Sequence, residues 1–200
     1  MRYGLVIDLK RCVGCGACAL ACKQANGTPP GVWWNKVLRE EKGKYPNARI
    51  SVLPVICNHC KNPSCVNVCP TGASSIREDG IVIIDQDKCI GCRACMTACS
   101  YNARAFNYSK ETSYHSDLGE SPHEKVHKTK HKKGTVEKCN FCMDRVDNGD
   151  QPFCVKTCPA EARIFGDIDD TNSAVAKLIP NSYQLHPEKE TSPSVYYLSE

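Results

Sequence analysis

The sequence is poor in aromatic residues and lacks any long apolar segment. Phe, Trp and Tyr make up 7% of its 200 residues, and the mean hydropathy is −0.42. The longest apolar runs, Val52–Ile56 and Ile81–Ile84, are far shorter than the roughly 20 residues that span a bilayer. We therefore expect a protein that does not itself cross a membrane and that has only a thin apolar core.

The start of the chain, Met1–Lys10, contains neither the apolar core of a signal peptide nor a twin-arginine pair. We expect synthesis in a reducing compartment, where structural disulfides are rare. Sixteen residues, however, are cysteine. A chain with a thin core needs another source of stability, and metals or disulfides supply it in small proteins. The expected compartment favours metal.

Two cysteine motifs alternate along the chain. Ile7–Cys22 matches Ile84–Cys99 without a gap, at nine of sixteen positions. Cys57–Pro70 likewise resembles Cys139–Pro159, which has seven extra residues. The order is therefore type one, type two, type one, type two, and we number these motifs one to four. An internal repeat of this kind predicts repeated structural units.

The spacing of motifs one and three is C-x2-C-x2-C-x3-C, the run typical of bacterial ferredoxins. Three thiolates two residues apart can bind three corners of one [4Fe–4S] cube. Small residues between them, such as Gly14, Gly16 and Gly91, let backbone N–H groups approach the sulfurs. The fourth cysteine lies one helical turn further on and ligates the neighbouring cluster.

Zinc and disulfides are the alternatives to iron–sulfur clusters. Cys57 with Cys60, or Cys139 with Cys142, would suit a zinc ribbon. The triple run in motifs one and three would not, because a tetrahedral zinc ion uses four ligands and would leave one over. Cysteines two residues apart in tight loops pair poorly as disulfides. Sixteen cysteines divide into four sets of four, so the sequence predicts four [4Fe–4S] clusters.

The lengths of the linkers predict which motifs share clusters. Only Pro70–Lys88 separates motifs two and three, and Arg77–Gly80 within it indicates a hairpin turn. Motifs two and three should form one two-cluster unit, and motifs one and four the other. With crossed fourth ligands, cluster 1 is held by Cys12, Cys15, Cys18 and Cys158, and cluster 2 by Cys22, Cys139, Cys142 and Cys154. Cluster 3 is held by Cys57, Cys60, Cys65 and Cys99, and cluster 4 by Cys69, Cys89, Cys92 and Cys95.

We predict an α+β fold of two ferredoxin-like two-cluster units with loop-rich extensions. The inner unit, residues 50–108, is inserted into the outer unit, residues 1–49 and 109–170. Residues 171–200 form a C-terminal extension with a final strand or anchor near 195–198.

Local patterns predict individual elements within these units. We expect strands at Tyr3–Asp8, Ile50–Ile56 and Arg163–Ile168, and helices around Cys18–Gln24 and Cys95–Ser100. A short helix at 172–179 should be capped by Asp170 or Thr171.

Two sets of histidines admit more than one interpretation. His123, His127 and His131 recur every four residues within Tyr108–Lys138, a polar segment that we predict to be a surface loop. A metal site or an anionic docking patch is the less favoured alternative. His59 lies between two predicted ligands, where a hydrogen-bonded supporting role is favoured over a proton-transfer role.

The motifs resemble those of the iron–sulfur electron-transfer subunits of molybdopterin oxidoreductases, such as dimethyl sulfoxide, polysulfide, thiosulfate and arsenate reductases and formate dehydrogenases. The residues that carry the likeness are Val13–Cys18, Cys57–Cys60, Cys69–Ala73, Cys89–Cys92, Glu137–Cys142 and Cys158–Ala162. It covers about residues 1–170 and the Pro193–Tyr197 tail. One departure is Ser100, where a proline is expected after Cys99. Some relatives have Trp in the third motif and hold a [3Fe–4S] cluster, but Cys92 is present here.

The resemblance implies electron transfer in anaerobic respiration, with no substrate-converting site on this chain. The implied partners are a large molybdopterin catalytic subunit and a quinol-oxidising membrane anchor or soluble donor. It also implies the crossed pairing of motif one with four and two with three. Export with a signal-bearing partner would place the chain at the outer, periplasmic-side face of the cytoplasmic membrane, and a cytoplasmic location is the alternative.

Two rival functions are a free-standing polyferredoxin shuttle and a zinc-stapled interaction module. Nucleic-acid binding is not expected despite the formal charge of +4. Four clusters with their thiolates would bring the net charge to about −4.

Overall fold

This computed structural model describes residues 1–108, 113–115 and 117–199, without the side chain of Lys128. The described residues form short helices and strands in an α+β arrangement, as predicted. The strands are β1 (Tyr3–Asp8), β2 (Lys36–Lys42), β3 (Arg49–Val55), β4 (Ser74–Ile76), β5 (Val82–Ile84), β6 (Arg104–Phe106), β7 (Val136–Lys138), β8 (Arg163–Asp167) and β9 (Val195–Leu198). The helices are α1 (Ala17–Asn26), α2 (Ser64–Asn67), α3 (Ala94–Thr97), α4 (Pro122–His127), α5 (Met143–Val146), α6 (Phe153–Lys156) and α7 (Ala174–Leu178).

Each linker between consecutive motifs folds back as an antiparallel strand pair. β2 pairs with β3 between motifs one and two, β4 with β5 between motifs two and three, and β6 with β7 between motifs three and four. β8, after motif four, pairs antiparallel with β1, before motif one. The strand pairs thus connect the four motifs in a ring, and β6–β7 crosses the predicted boundary between inner and outer units.

The helices associate more selectively than the strands. α1 of motif one packs against α6 of motif four, and α2 of motif two packs against α3 of motif three. Each of these helices carries cysteines of its motif. The helix contacts therefore group the motifs as one with four and two with three.

The apolar core lies beneath the three-stranded sheet β8–β1–β9. Leu5, Val195 and Tyr197 in this sheet are almost completely buried, and Ile81 and Phe141 join the same cluster. β9 runs parallel to β1, so the C-terminal extension completes the core.

Several predictions of local structure are confirmed, but the cap of α7 and the surface loop at Tyr108–Lys138 need correction. The strands near Tyr3–Asp8, Ile50–Ile56 and Arg163–Ile168 are present, as are the hairpin after motif two, the helices after Gly16 and Arg93, and the final strand. Helix α7 is capped by Ser173, whose hydroxyl accepts the Ala176 N–H at 3.1 Å. The proposed caps Asp170 and Thr171 lie too early, because Asp170 instead accepts the Asn172 N–H in a turn.

The predicted surface loop at Tyr108–Lys138 is only partly a loop. Residues 109–112 and 116 lie outside the described residues. The rest contains α4, a 3-10 turn at Lys128–Lys130, and β7, whose three residues are all buried. The apolar signal of β7 is a single valine, so its burial depends on pairing with β6 rather than on a local pattern. In the described part of the chain, no helix has the length and apolar character to cross a bilayer.

Candidate metal centres

All sixteen cysteines are free thiols. In motif one, Cys12 and Cys15 lie in a loop that turns through left-handed backbone at Gly14 and Gly16 (φ 67° and 83°). Cys18 and Cys22 follow one turn apart on α1, and both are buried. Crossed ligation assigns Cys18 to the same cluster as the loop cysteines and Cys22, one helical turn further on, to the neighbouring cluster.

The equivalent loop of motif three approaches another backbone closely. Gly91 has φ 70°, and a Cβ there would clash with the carbonyl oxygen of Gly134. Only glycine can occupy this position without moving the chain. Arg93, in the place of Gly16, adopts the same left-handed conformation with φ 61°.

The cysteines of motifs one and four come together in two groups. Burial raises the pKa of Cys18, and the nearby thiols of Cys12 and Cys158 add to the shift. Burial likewise raises the pKa of Cys22, with contributions from Cys154 and Cys142. Cys139 is fully buried beside this second group, and its pKa is raised well above the usual value, chiefly by burial.

The cysteines of motifs two and three also form two groups. Burial raises the pKa of Cys60 to about 12, and its neighbours include the thiols of Cys57, Cys65 and Cys99. Cys95, in the other group, has a pKa raised by burial. Its neighbouring thiols are Cys89 and Cys69.

Backbone donors point at several of these sulfurs. The N–H groups of Ser74, Phe141 and Ala162 lie 3.4 Å from the sulfurs of Cys69, Cys139 and Cys158. At Cys69, burial is the largest single influence and opposes the thiolate. Hydrogen bonds from the backbone N–H groups of Ser74, Thr71 and Ala73 and from the Thr71 side chain together outweigh it and lower the pKa. Such bonds stabilise the anionic sulfurs of a cluster.

Two buried arginines lie among the cysteines. Arg104 donates from Nη2 to Cys65 Sγ at 2.9 Å and from Nη1 to Ser74 Oγ at 2.8 Å. Arg163 donates from Nη2 to Asn35 Oδ1 at 3.3 Å. Among the described residues, Arg104 Nε and Arg163 Nη1 are buried donors with no partner. The sulfides of an iron–sulfur cluster would be suitable acceptors, so the donor set fits such a cofactor.

These two arginines were not among the predicted site residues, although the sequence contains a pattern that points to them. Each follows the last cysteine of its motif by five residues, in Ala103–Phe106 and Ala162–Phe165. The two segments share the pattern Ala-Arg-x-Phe, which is seen when the last cysteine of motif three is aligned with the last cysteine of motif four.

A stacked ring pair lies between the two motif pairs. His59 and Phe141 occupy the same position in motifs two and four, and their rings stack with centroids 3.8 Å apart. His59 Nδ1 accepts the Val82 N–H at 3.1 Å, which confirms the hydrogen-bonded role. Burial, followed by the charges of Lys138 and Arg104, holds the pKa of His59 well below its usual value, so the ring is neutral.

His131 contradicts the prediction that it is solvated. It is 8% exposed, and its Nδ1 lies 2.9 Å from Glu137 Oε2. Its Nε2 lies 2.8 Å from the carbonyl oxygen of Asn26. His123 and His127 lie nearer the surface on α4, where their rings stack with centroids 4.4 Å apart. The four-residue recurrence thus fails to predict burial, because His131 lies beyond the helix, against α1 and β7.

The thiols differ in burial. Cys15 and Cys92 are exposed, whereas the buried cysteines are Cys18, Cys22, Cys57, Cys95, Cys139 and Cys154. The two exposed cysteines occupy equivalent positions in motifs one and three. Each has an exposed apolar neighbour, Val13 at 72% and Ile90 at 67%.

Comparison with known proteins identifies the family. Residues 48–121 and 108–168 match one model of a 4Fe–4S dicluster domain, and residues 11–73 match a second. The arsenate respiratory reductase iron–sulfur subunit of a Shewanella species is 39% identical over 225 residues, covering 99% of this chain and 96% of that protein. The chain belongs to the family of iron–sulfur electron-transfer subunits of molybdopterin oxidoreductases.

Two further relatives agree with this assignment. A selenate reductase subunit of Mesobacillus selenatarsenatis is 43% identical over 216 residues, which cover all of this protein and 72% of that one. A component of the anaerobic dimethyl sulfoxide reductase of Escherichia coli is 38% identical over 177 residues, covering 84% and 75%. Dicluster domains with sixteen cysteines fit four [4Fe–4S] clusters.

Proposed function

We propose that this subunit carries electrons one at a time through four [4Fe–4S] clusters. One end would exchange electrons with a large molybdopterin catalytic subunit. The other would face a quinol-oxidising membrane anchor or a soluble donor. The molybdenum-bearing partner would convert the substrate, and this chain would transfer the electrons.

The proposed ligand sets are those that the spacing predicts, and the sulfur neighbours support them. Cluster 1 takes Cys12, Cys15, Cys18 and Cys158, and cluster 2 takes Cys22, Cys139, Cys142 and Cys154. Cluster 3 takes Cys57, Cys60, Cys65 and Cys99, and cluster 4 takes Cys69, Cys89, Cys92 and Cys95. The proposed inner unit (50–108) and outer unit (1–49 and 109–170) are supported by the selective packing of their helices.

The observation that carries the proposal is a succession of neighbouring thiols through the first three groups, with Arg104 between the third group and the fourth. Cys18 lies near Cys154, which brings the first two groups together. Cys139 lies near Cys57, which brings the second and third together. Arg104 lies among sulfurs of the third and fourth. Because electron tunnelling weakens steeply with distance, close succession is what a conductor needs.

The exposed ends of this succession support a role between two partners. Cys15 and Cys92 are exposed, whereas the buried thiols of the two central groups are Cys22, Cys139, Cys154 and Cys57. Exposed apolar side chains beside a redox centre are suited to docking another protein. We place the subunit at the outer face of the cytoplasmic membrane, carried there by its catalytic partner.

Metal analysis tests the cofactor part of the proposal. Protein purified without air should contain about sixteen iron and sixteen sulfide per chain, since four clusters of four are proposed. Dithionite should produce paramagnetic signals from more than one cluster. A colourless protein that contains zinc would overturn the proposal in favour of an interaction module.

Co-purification separates the subunit from a free-standing shuttle. Affinity purification from the native host should recover a large molybdenum-containing protein in a fixed ratio. Washing of intact spheroplasts should show which membrane face holds the complex. A monomer that exchanges electrons with many soluble partners would support the polyferredoxin alternative instead.

A further inference from the structure

We propose that Arg104 and Arg163 each supply one buried positive charge shared by two clusters, which raises the reduction potentials of both clusters in a pair. Arg104 would serve clusters 3 and 4, and Arg163 would serve clusters 1 and 2. The inference rests on the ligand sets proposed above. Neither arginine is a cluster ligand, and each would act through its charge on the reduction potentials of two neighbouring clusters.

The two arginines occupy equivalent places in the repeat. Each lies five residues after the last cysteine of its motif and begins the strand that leaves the cluster, β6 or β8. Motif two has Ser74 at the same offset, and motif one has Gly27. Each predicted unit therefore contains a single arginine at this position rather than two.

Arg104 is held between two sets of thiols. It is 3% exposed, and Nη2 contacts Cys65, a proposed ligand of cluster 3. It also interacts with Cys95, a proposed ligand of cluster 4. Burial opposes the charge on the guanidinium, but the surrounding sulfurs outweigh it and raise the pKa of Arg104.

Arg163 repeats this arrangement in the other unit. It is 4% exposed, its Nη1 is a buried donor with no hydrogen-bond partner among the described residues, and it acts electrostatically on Cys154, a proposed ligand of cluster 2. It also acts electrostatically on Cys18, a proposed ligand of cluster 1. Here too burial opposes the charge, and the nearby sulfurs raise the pKa of the guanidinium.

The direction of the effect follows from charge. A [4Fe–4S] cluster with four thiolates is already an anion, and reduction adds a further negative charge. A guanidinium stays protonated at any physiological pH, and burial removes most solvent screening of its field. It therefore stabilises the reduced cluster and raises the potential. Because one charge lies among sulfurs of two clusters, both potentials move together.

The positive charge of each arginine can be offset, without removing the arginine, by placing an aspartate at the residue that accepts its hydrogen bond. Asn35 accepts a hydrogen bond from Arg163, and Ser74 accepts one from Arg104. Asn35→Asp keeps the shape of the side chain and adds a negative charge beside Arg163. Ser74→Asp adds a negative charge beside Arg104 but also enlarges the side chain, and Ser75→Asp on the same strand is the matched control.

The experiment is an anaerobic redox titration, followed by electron paramagnetic resonance, of Arg104→Gln, Arg163→Gln, Asn35→Asp and Ser74→Asp. Iron and sulfide are counted first. We expect Arg104→Gln and Ser74→Asp to lower two of the four midpoint potentials. Arg163→Gln and Asn35→Asp should lower the other two. Arg104→Lys should restore much of the loss, since it returns the charge.

Controls distinguish a shared charge from a structural contact. Arg93→Gln removes an exposed charge one residue from Cys92 and should shift potentials far less than Arg104→Gln. If the glutamine variants fail to load iron, the aspartate variants retain both arginines and decide the question. The inference would be overturned if fully loaded aspartate variants had unchanged potentials. It would also be overturned if the Arg104-side and Arg163-side variants shifted the potentials of the same clusters.

Wild-type protein keeps the two proposals separable. If wild-type chains lack about sixteen iron, the proposed function fails. If they are fully loaded and redox-active but the variants leave every potential unchanged, only the role of the arginines fails.

Discussion

The outer pair of motifs, one and four, is built on longer and more deeply buried elements than the inner pair, two and three. Helix α1 has ten residues and buries two cysteines, whereas α2 has four residues, none of them buried. β1 is the middle strand of a three-stranded sheet, but β4 pairs only with β5. The outer unit therefore supplies the three-stranded sheet over the apolar core, to which the inner unit adds Ile56 and Ile81. We expect the inner unit to depend more than the outer one on its metal ligands.

The largest effect is expected from removing a cluster ligand in the middle of the molecule, compared with one at an exposed end. Cys139→Ser should abolish cluster 2 and yield little soluble protein, because this site is fully buried between the two units. Cys92→Ser, at an exposed end, should cost one cluster at most and leave about twelve iron per chain. Iron content and soluble yield after anaerobic purification measure both. Complete iron loss in the Cys92 variant would contradict the expectation that this change costs one cluster at most.

The second comparison concerns apolar packing. Leu5 in β1 is 1% exposed, whereas Ile76 in β4 is 42% exposed. Leu5→Ala should destabilise the protein by about 2–5 kcal/mol through cavity formation, and Ile76→Ala by much less. Anaerobic thermal unfolding, followed by loss of cluster absorbance, gives the two shifts. Equal shifts would show that the inner unit relies on apolar packing as much as the outer one.

A third, smaller effect is a pH dependence from His131 in the outer unit. Burial disfavours the protonated ring, but the hydrogen bond and charge of Glu137 outweigh burial and raise the pKa of His131. A raised folded-state pKa adds stability that is fully present below about pH 6.5 and is lost as the pH rises through the folded value.

The variant His131→Asn should remove this dependence. Its thermal midpoint should therefore fall below that of wild type more at pH 6 than at pH 8. His123→Asn, on the more exposed part of the segment, is the control and should leave the pH profile unchanged. A larger deficit at pH 8 than at pH 6 would reverse the assigned sign.

The smallest expected effect concerns a surface contact between the units. Arg77 Nη1, after the inner strand β4, donates to Asp147 Oδ2, after α5, at 3.0 Å. The hydrogen bond and charge of Arg77 lower the pKa of Asp147. Solvent screens an exposed ion pair, and ordering its side chains offsets much of the remaining attraction. Asp147→Asn should therefore shift the thermal midpoint only slightly. Lys88→Gln, which removes an ion pair within the inner unit, is the matched control.

Much of the fold could be predicted because its signals are local. The turn at Arg77–Gly80 and the apolar strand at Tyr3–Asp8 lie within single short segments, and both are present. β7 and the burial of His131 were missed, since each depends on a partner far away in the chain. The predicted cap of α7 lay two or three residues too early, because Asp170, Thr171 and Ser173 are all suitable cap residues.

The amino-acid sequence by itself determined the number of cysteines, their grouping into four motifs and therefore the class of cofactor. Those properties depend on spacings within single motifs, the longest of which is Cys139–Cys158. Linker lengths also predicted the pairing of motif one with four and of two with three. Only the tertiary structure decided that helices α1 and α6, and α2 and α3, make these contacts, and that Arg104 and Arg163 lie buried among the thiols. Such contacts join residues far apart in the chain, so they depend on how the whole molecule packs rather than on any local pattern.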